Sequence, residues 1–163
     1  MPQISIVPLI FLDIDGVLVN RRSLAERSGT RAVADKTCVY ALNHITTLTG
    51  AKIVLSSSWR FCGLEEMRLI FRHWGVSAEL ISMTPDLTRK PGDSVLYIAT
   101  PRREEIASWL MQNGQPACYV VIDDDSDADM GDGRFIHTKF DIGLTEAEAV
   151  NAIQILRTSE AAR

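Results

Sequence analysis

The chain has no apolar run approaching the roughly 20 residues that a membrane-spanning helix needs. Its first residues lack the basic region, apolar core and small-residue cleavage site of a secretory leader. Both absences predict a cytoplasmic protein with no membrane segment. Cysteine is scarce: Cys38, Cys62 and Cys118 are odd in number, far apart and make no CxxC pair. That argues against a disulfide framework and predicts buried or half-buried free thiols in a reducing compartment. Histidine is as rare, and His44, His73 and His137 show no metal-ligand spacing. An excess of positive charge is missing too. The net charge of −4 argues against a protein that coats nucleic acid through an extensive basic surface, although a local basic patch stays open. No internal repeat or low-complexity tract is present. What remains is ordinary for a globular chain, with 46% hydrophobic and 23% charged residues. The length, 163 residues, predicts a single domain over 1–163 with a real core.

Short buried-strand runs alternate with helical periodicity. Ile6 to Asp13 is a continuous apolar run bounded by acids, as expected of a strand buried on both faces. Apolar residues then recur at helical spacing from about Val33 to Leu48, and Gly50 follows as a stop. A second strand, Lys52 to Leu55, opens into serines; a helix follows over Leu64 to Trp74, ended by Gly75. "AELIS" reads as a third strand, Glu104 to Asn113 as a helix ended by Gly114, "CYVVIDDD" as a fourth strand and "RFIHT" as a fifth. Thr145 and Glu148 form a capping box for a last helix to about Arg157. Asn20–Ala34 and Thr84–Pro101 read as irregular, and Trp74 and Trp109 as core. This alternation predicts an α/β, Rossmann-like three-layer sandwich around a parallel sheet of about five strands. Such sheets bind ligands beyond the carboxyl ends of their strands. Strand one ends in Asp13, strand two in Ser56 and strand four in Asp123, Asp124 and Asp125, so three distant segments bring polar groups to one edge.

These segments resemble the haloacid-dehalogenase (HAD) superfamily of Mg2+-dependent phosphatases. The DxDG motif is Asp13-Ile14-Asp15-Gly16, the Ser ending strand two is Ser56 in "IVLSS", and the acidic pair lies in "VVIDDD". "LSSSWR", "RxEEIxxWL" and "VVIDDDxD" are similar to a subgroup associated with RNA and nucleotide-end repair proteins. The resemblance implies a minimal cap or none, with residues 16–34 as a short flap. It also implies a Mg2+ cofactor held by the Asp13 side chain, the Asp15 backbone carbonyl and an acid of the fourth motif. Asp124 is favoured there with Asp123 in support, and Asp127 stands as an outer partner. Mg2+ suits this set because it takes hard oxygen ligands, often only one or two of them carboxylates. Ser56 would bond a phosphoryl oxygen. Arg102 ranks ahead of Arg103 and Lys90 for the basic residue of the third motif.

The chemistry asks for the same residues. A carboxylate can attack phosphorus to form an aspartyl-phosphate, and Asp13 is the candidate nucleophile. A second acid can protonate the leaving alcohol and later deprotonate water, the role expected of Asp15, with Gly16 allowing the turn. An acid at the Asp15 position favours phosphoryl chemistry over dehalogenation, since a halide leaves without a proton. Ser57, Trp59, Arg60 and Lys90 are candidate substrate contacts. Trp59 could stack a nucleobase or pack on the following helix. Arg21, Arg22, Arg27 and Arg31 either line an open mouth suited to a polyanion or serve solubility. The acid-rich stretch is not a calcium loop. Counted from Asp123, Ala128 stands where the loop glycine belongs and Arg134 where its glutamate belongs. Asp129 and Asp132 read as a solvated turn. The reading is thus a Mg2+-dependent phosphatase acting on a phosphorylated small molecule, a nucleotide or a nucleic-acid end. Phosphotransfer to another acceptor, or phospho-ligand binding without turnover, shares the motifs.

Overall fold

Parallel strands whose side chains are all apolar can be stable only between two covering layers, and the chain builds that arrangement. The computed structural model describes residues 7–26, 32–88 and 100–161. Strands β1 (Leu9–Leu12), β2 (Lys52–Leu55), β3 (Leu80–Met83), β4 (Tyr119–Asp123) and β5 (Phe135–His137) form one sheet in the order β3-β2-β1-β4-β5. Every pairing is parallel. The register is what places the site. Leu12 stands opposite Leu55 on one side and Ile122 on the other, so the next residues, Asp13, Ser56 and Asp123, line up across three adjacent strands. The ladder continues that far: the Asp13 N–H donates to Ile122 O at 3.0 Å and the Ser56 N–H to Leu12 O at 2.8 Å.

The helices are α1 (Arg21–Glu26), α2 (Lys36–Thr49), α3 (Leu64–Trp74), α4 (Arg102–Asn113) and α5 (Glu146–Ala161), with 3-10 turns at Ser58–Cys62 and Ser126–Ala128. Strand residues alternate between faces. Ile10, Leu12, Ile53, Leu55, Val120 and Ile122 pack with residues of α2, α3 and α5. Leu9, Phe11, Val54 and Val121 pack with Ile106 and Trp109 of α4. Phe11 meets Trp109 and Tyr119 edge-on, at 5.4 and 5.6 Å between ring centroids. The three-layer α/β expectation holds. The cysteines are free thiols, and among the described residues no helix is long and apolar enough to cross a membrane.

Boundaries differ from the sequence reading for identifiable reasons. Helix α2 begins at Lys36, not Val33, because the Asp35 carboxylate accepts the Thr37 N–H at 2.9 Å and caps it there. Helix α4 begins at Arg102, not Glu104: Pro101 offers no capping side chain, and Asp127, from beyond β4, accepts the Arg102 N–H at 3.2 Å. Strand β3 starts two residues later than expected and ends one later, beside a register shift at Ile53/Val54. The expected irregular stretch after Asn20 contains α1. Asn20 starts it by accepting the Ser23 N–H at 2.9 Å while its own N–H donates to Ser23 Oγ at 3.1 Å. The capping box at α5 forms as expected, with Thr145 N–H donating to Glu148 and Glu148 N–H donating back to Thr145 Oγ1. Ile6, Arg27, Arg31, Lys90, Pro91 and Gly92 lie outside the described residues.

Candidate active site

At the carboxyl edge of the sheet the aligned strand ends gather charge. Carboxylate oxygens of Asp13, Asp123 and Asp124 all lie within 4.8 Å of one another. Asp13 and Asp123 are buried and Asp124 half-buried. Burial, first of all, lifts the Asp13 carboxyl well above the ordinary carboxylate range, with nearby Asp124 adding to it. A hydrogen bond from Ser57, another from the Ile14 backbone and the Arg102 charge pull it back. Asp123 is raised by burial and then by the Asp13 charge. Asp124 is also raised, chiefly by burial, with Asp125 and Asp15 contributing. Three carboxylates held this close could hold a hard divalent cation, which takes oxygen ligands.

Two further observations fit such a group and its ligand. Gly16 has φ +76°, and a Cβ placed there would overlap the Asp124 carboxylate, so the glycine makes the room that lets Asp124 close on the cluster. The Ser56 hydroxyl, beside Asp13 in register, is buried and has no hydrogen-bond partner among the described residues. An orphaned buried hydroxyl costs on the order of 1–3 kcal/mol, and the oxygen of a bound ligand is the natural way to recover it. Asp15 accepts a hydrogen bond from the Trp59 indole at 3.0 Å, and its charge helps raise Asp124. The loop is pinned from the far side by Thr138, whose hydroxyl donates to Gly16 O at 2.7 Å and whose N–H donates to Asp123 O at 2.9 Å.

The other sequence candidates have other tasks. Ser57 bonds Asp13 and accepts the Trp59 N–H at 3.3 Å, so it holds the nucleophile candidate. Trp59 packs against Trp74 at 5.5 Å between centroids; of its two expected roles, packing on the following helix is the one seen. Arg60, expected to overhang the mouth, turns inward and makes a bidentate pair with Glu105, both bonds 2.8 Å. Only 12% of the Arg60 side chain and 2% of Glu105's are exposed, so the pair is a buried brace. Arg102 also reaches Glu105 at 3.2 Å and stands 4.0 Å from Asp123. Arg103 is exposed and bonds the Asp127 carbonyl at 3.4 Å. Asp127 acts on Arg102 through the start of α4, not on Asp124. Asp129 and Asp132 accept backbone N–H groups in the turn before β5, as expected of turn residues. Glu105, which braces Arg60 and Arg102, and Thr138, which pins the Gly16 loop, were missed by the sequence reading; for Glu105 a signal was there. It is a glutamate four residues before core Trp109, a charge on the buried stripe of α4.

No curated protein matches the chain. A family model does, over residues 9–149, and its description is "HAD domain in Swiss Army Knife RNA repair proteins". The match spans all five strands and every strand-end acid described above. The fold and this match together make it a HAD-type domain of the phosphatase and phosphoesterase kind, and the chain belongs to the family of HAD domains found in Swiss Army Knife RNA repair proteins.

Proposed function

We infer that the protein is a Mg2+-dependent phosphatase that hydrolyses a phosphomonoester through an aspartyl-phosphate on Asp13, acting on a nucleotide or a nucleic-acid end. The observation that carries this reading is the Ser56 hydroxyl, buried one strand over from Asp13 without a partner among the described residues. It supplies a donor for a phosphoryl oxygen at the place where the nucleophile attacks. The nucleic-acid preference draws its support from the family, described as a domain of RNA repair proteins.

A carboxylate oxygen of Asp13 forms a bond to phosphorus as the ester P–O bond breaks, and Asp15 donates a proton to the departing alkoxide. Asp15, now ionised, takes a proton from water as the water oxygen attacks the phosphoryl phosphorus. The bond from phosphorus to Asp13 breaks, releasing inorganic phosphate and restoring both carboxyls. Ser57 keeps Asp13 oriented and Trp59 keeps Asp15 directed at the leaving group. The Asp13 and Asp124 carboxylates and the Asp15 carbonyl would hold Mg2+, with Asp123 beside them and next to Arg102. When bound, Mg2+ offsets the negative charge that these acids and the phosphate bring together. Arg102, or Lys90 from outside the described residues, supplies the fixed positive charge for the transferring group.

The test is phosphate release from an aryl phosphate with and without Mg2+. Asp13→Asn should reduce turnover by on the order of 10^4-fold while preserving the circular-dichroism spectrum. Turnover within about tenfold of wild type would remove Asp13 as the nucleophile.

A further inference from the structure

A single turn after β2 reaches both acids of the first motif. Ser57 hydrogen-bonds Asp13, and two residues on the Trp59 indole N–H donates to Asp15 Oδ2 at 3.0 Å. The turn is braced on either side. Ser57 accepts the Trp59 N–H on its hydroxyl at 3.3 Å and the Arg60 N–H on its carbonyl at 3.2 Å, while Arg60 is tied to Glu105 by two bonds of 2.8 Å. The indole ring rests edge-on against Trp74, 5.5 Å between centroids, and Trp74 stacks at 6.2 Å on buried Phe71. The backbone of Asp15 is held as firmly. Ile14 O accepts the N–H groups of Val17, Leu18 and Val19, and the Gly16 N–H donates to Val19 O at 2.7 Å. Asp15 thus stands on a closed turn with only its side-chain torsions to settle, and the indole settles them.

The kind of donor matters. An indole nitrogen can only donate, so Asp15 Oδ2 has to present a lone pair to it. In a protonated carboxyl the oxygen without the proton is the better acceptor. The bond therefore directs the proton to Oδ1. Among the described residues no second hydrogen bond reaches the Asp15 side chain, which leaves Oδ1 open to a ligand. The bond also changes strength along the reaction. As the proton departs, negative charge builds on Oδ2, and a charge-assisted hydrogen bond is roughly twice as strong as a neutral one. An interaction that tightens as the transition state forms speeds the chemical step without tightening substrate binding.

We propose that Trp59 is a positioning residue for acid catalysis, its indole N–H holding the Asp15 proton on Oδ1 and so setting how steeply the rate depends on the basicity of the leaving group. This role rests on the phosphatase reading. The proton passes from Oδ1 to the ester oxygen as the P–O bond breaks and that oxygen takes the bonding electron pair; Asp15 is left as a carboxylate with the indole on Oδ2. A strongly basic leaving group, such as the alkoxide of a sugar hydroxyl, gains most from this arrangement. An acidic phenol departs as its anion and gains little. Trp59 fits the site to phosphate esters of alcohols.

The test is kcat/KM, which reports the steps up to the aspartyl-phosphate, for aryl phosphates graded from dinitrophenyl to phenyl and for glycerol phosphate. Trp59→Phe keeps a ring against Trp74 and removes the N–H. It should lower the ratio of phenyl to dinitrophenyl phosphate turnover by on the order of tenfold, the worth of a hydrogen bond to a charged group, and glycerol phosphate should suffer at least as much. A merely structural role would lower every member by one factor. Trp59→benzothienylalanine, which keeps the indole shape with sulfur in place of N–H, should repeat the result even if Trp59→Phe folds poorly. In an Asp15→Asn background Trp59→Phe should leave the ratio unchanged. Independently of turnover, the Trp59 indole proton, followed by NMR, should exchange with solvent faster in Asp15→Ala. Unchanged exchange would remove the bond on which the role depends. An unchanged ratio in both Trp59 variants of an active enzyme would overturn the positioning role and keep the phosphatase. A wild type that hydrolyses none of the series would overturn the phosphatase and this role with it.

Discussion

The smallest feature of the site is a missing methyl group. Gly16 adopts φ +76°, which costs other L-residues about 1–2 kcal/mol, and its bare Cα is where the Asp124 carboxylate rests. Thr138 fixes the Gly16 carbonyl from behind, so the loop has little freedom to yield. Gly16→Ala should therefore push Asp124 out of the cluster. It should lower phosphatase kcat/KM about as far as Asp124→Ala does, on the order of 10^2-fold or more by the usual cost of disturbing a metal site. The two substitutions damage the same carboxylate, so the double variant should be little worse than either alone. Fully additive losses would show that Gly16 serves the site in some other way. The sequence made Gly16 legible as a turn residue after two acids. It could not reveal the contact with Asp124, because that depends on how closely two loops more than a hundred residues apart approach.

At the scale of elements, β2, β3 and α4 are joined by one buried acid. Glu105 accepts both arms of Arg60, a bond from Arg102 and the Leu87 N–H at 3.2 Å. Removing one partner from a buried pair leaves an uncompensated charge, which typically costs 3–5 kcal/mol, whereas replacing both partners by apolar groups can be nearly neutral. Glu105→Ala should thus destabilise by about 3–5 kcal/mol in denaturant unfolding. Arg60→Met with Glu105→Leu should recover much of that loss. Arg102 would lose its anchor in either variant, so activity should drop even in the stable double variant. A double variant no more stable than Glu105→Ala would mean that the brace contributes more than charge matching. Legibility at this scale was uneven for a physical reason. The strand ends stand out because an apolar run entering an acid is a local pattern. Arg60 looked like a mouth residue because it follows Ser56 closely, and nothing nearby in sequence announces a partner 45 residues away.

Across the whole molecule, the alternation of buried runs with helical periodicity was enough to set the layers, and glycine stops placed α3 to the residue. The strand order and the in-register alignment of Asp13, Ser56 and Asp123 come from packing across the sheet, which no single stretch encodes. That alignment also sets how stability responds to pH. Asp13, Asp123 and Asp124 all have folded-state pKa values above the ordinary carboxylate range, burial being the first cause. The metal-free folded state therefore holds protons that the unfolded chain has released. Its stability falls as pH climbs from about 4, where unfolded carboxylates ionise, until the three groups ionise in the folded state as well. Asp35 works in the opposite sense. Burial is outweighed there by hydrogen bonds from Thr37, Asn20 and Arg22, which hold it near about 2. Its contribution is full above about pH 4 and is lost as pH falls through that lower value. Metal-free protein should accordingly have its highest Tm on the acid side of neutrality and a lower one at about pH 8. Mg2+ binding to ionised acids should reverse the order, because it needs the protons gone. Millimolar Mg2+ should raise Tm by several degrees at about pH 8 and much less at about pH 5, with proton release on binding measurable by calorimetry in buffers of different ionisation enthalpy. Asp13→Asn should raise the metal-free Tm at about pH 8 and abolish most of the Mg2+ response. A Mg2+ shift independent of pH, or unaffected by that substitution, would place the cation somewhere other than the aligned strand ends.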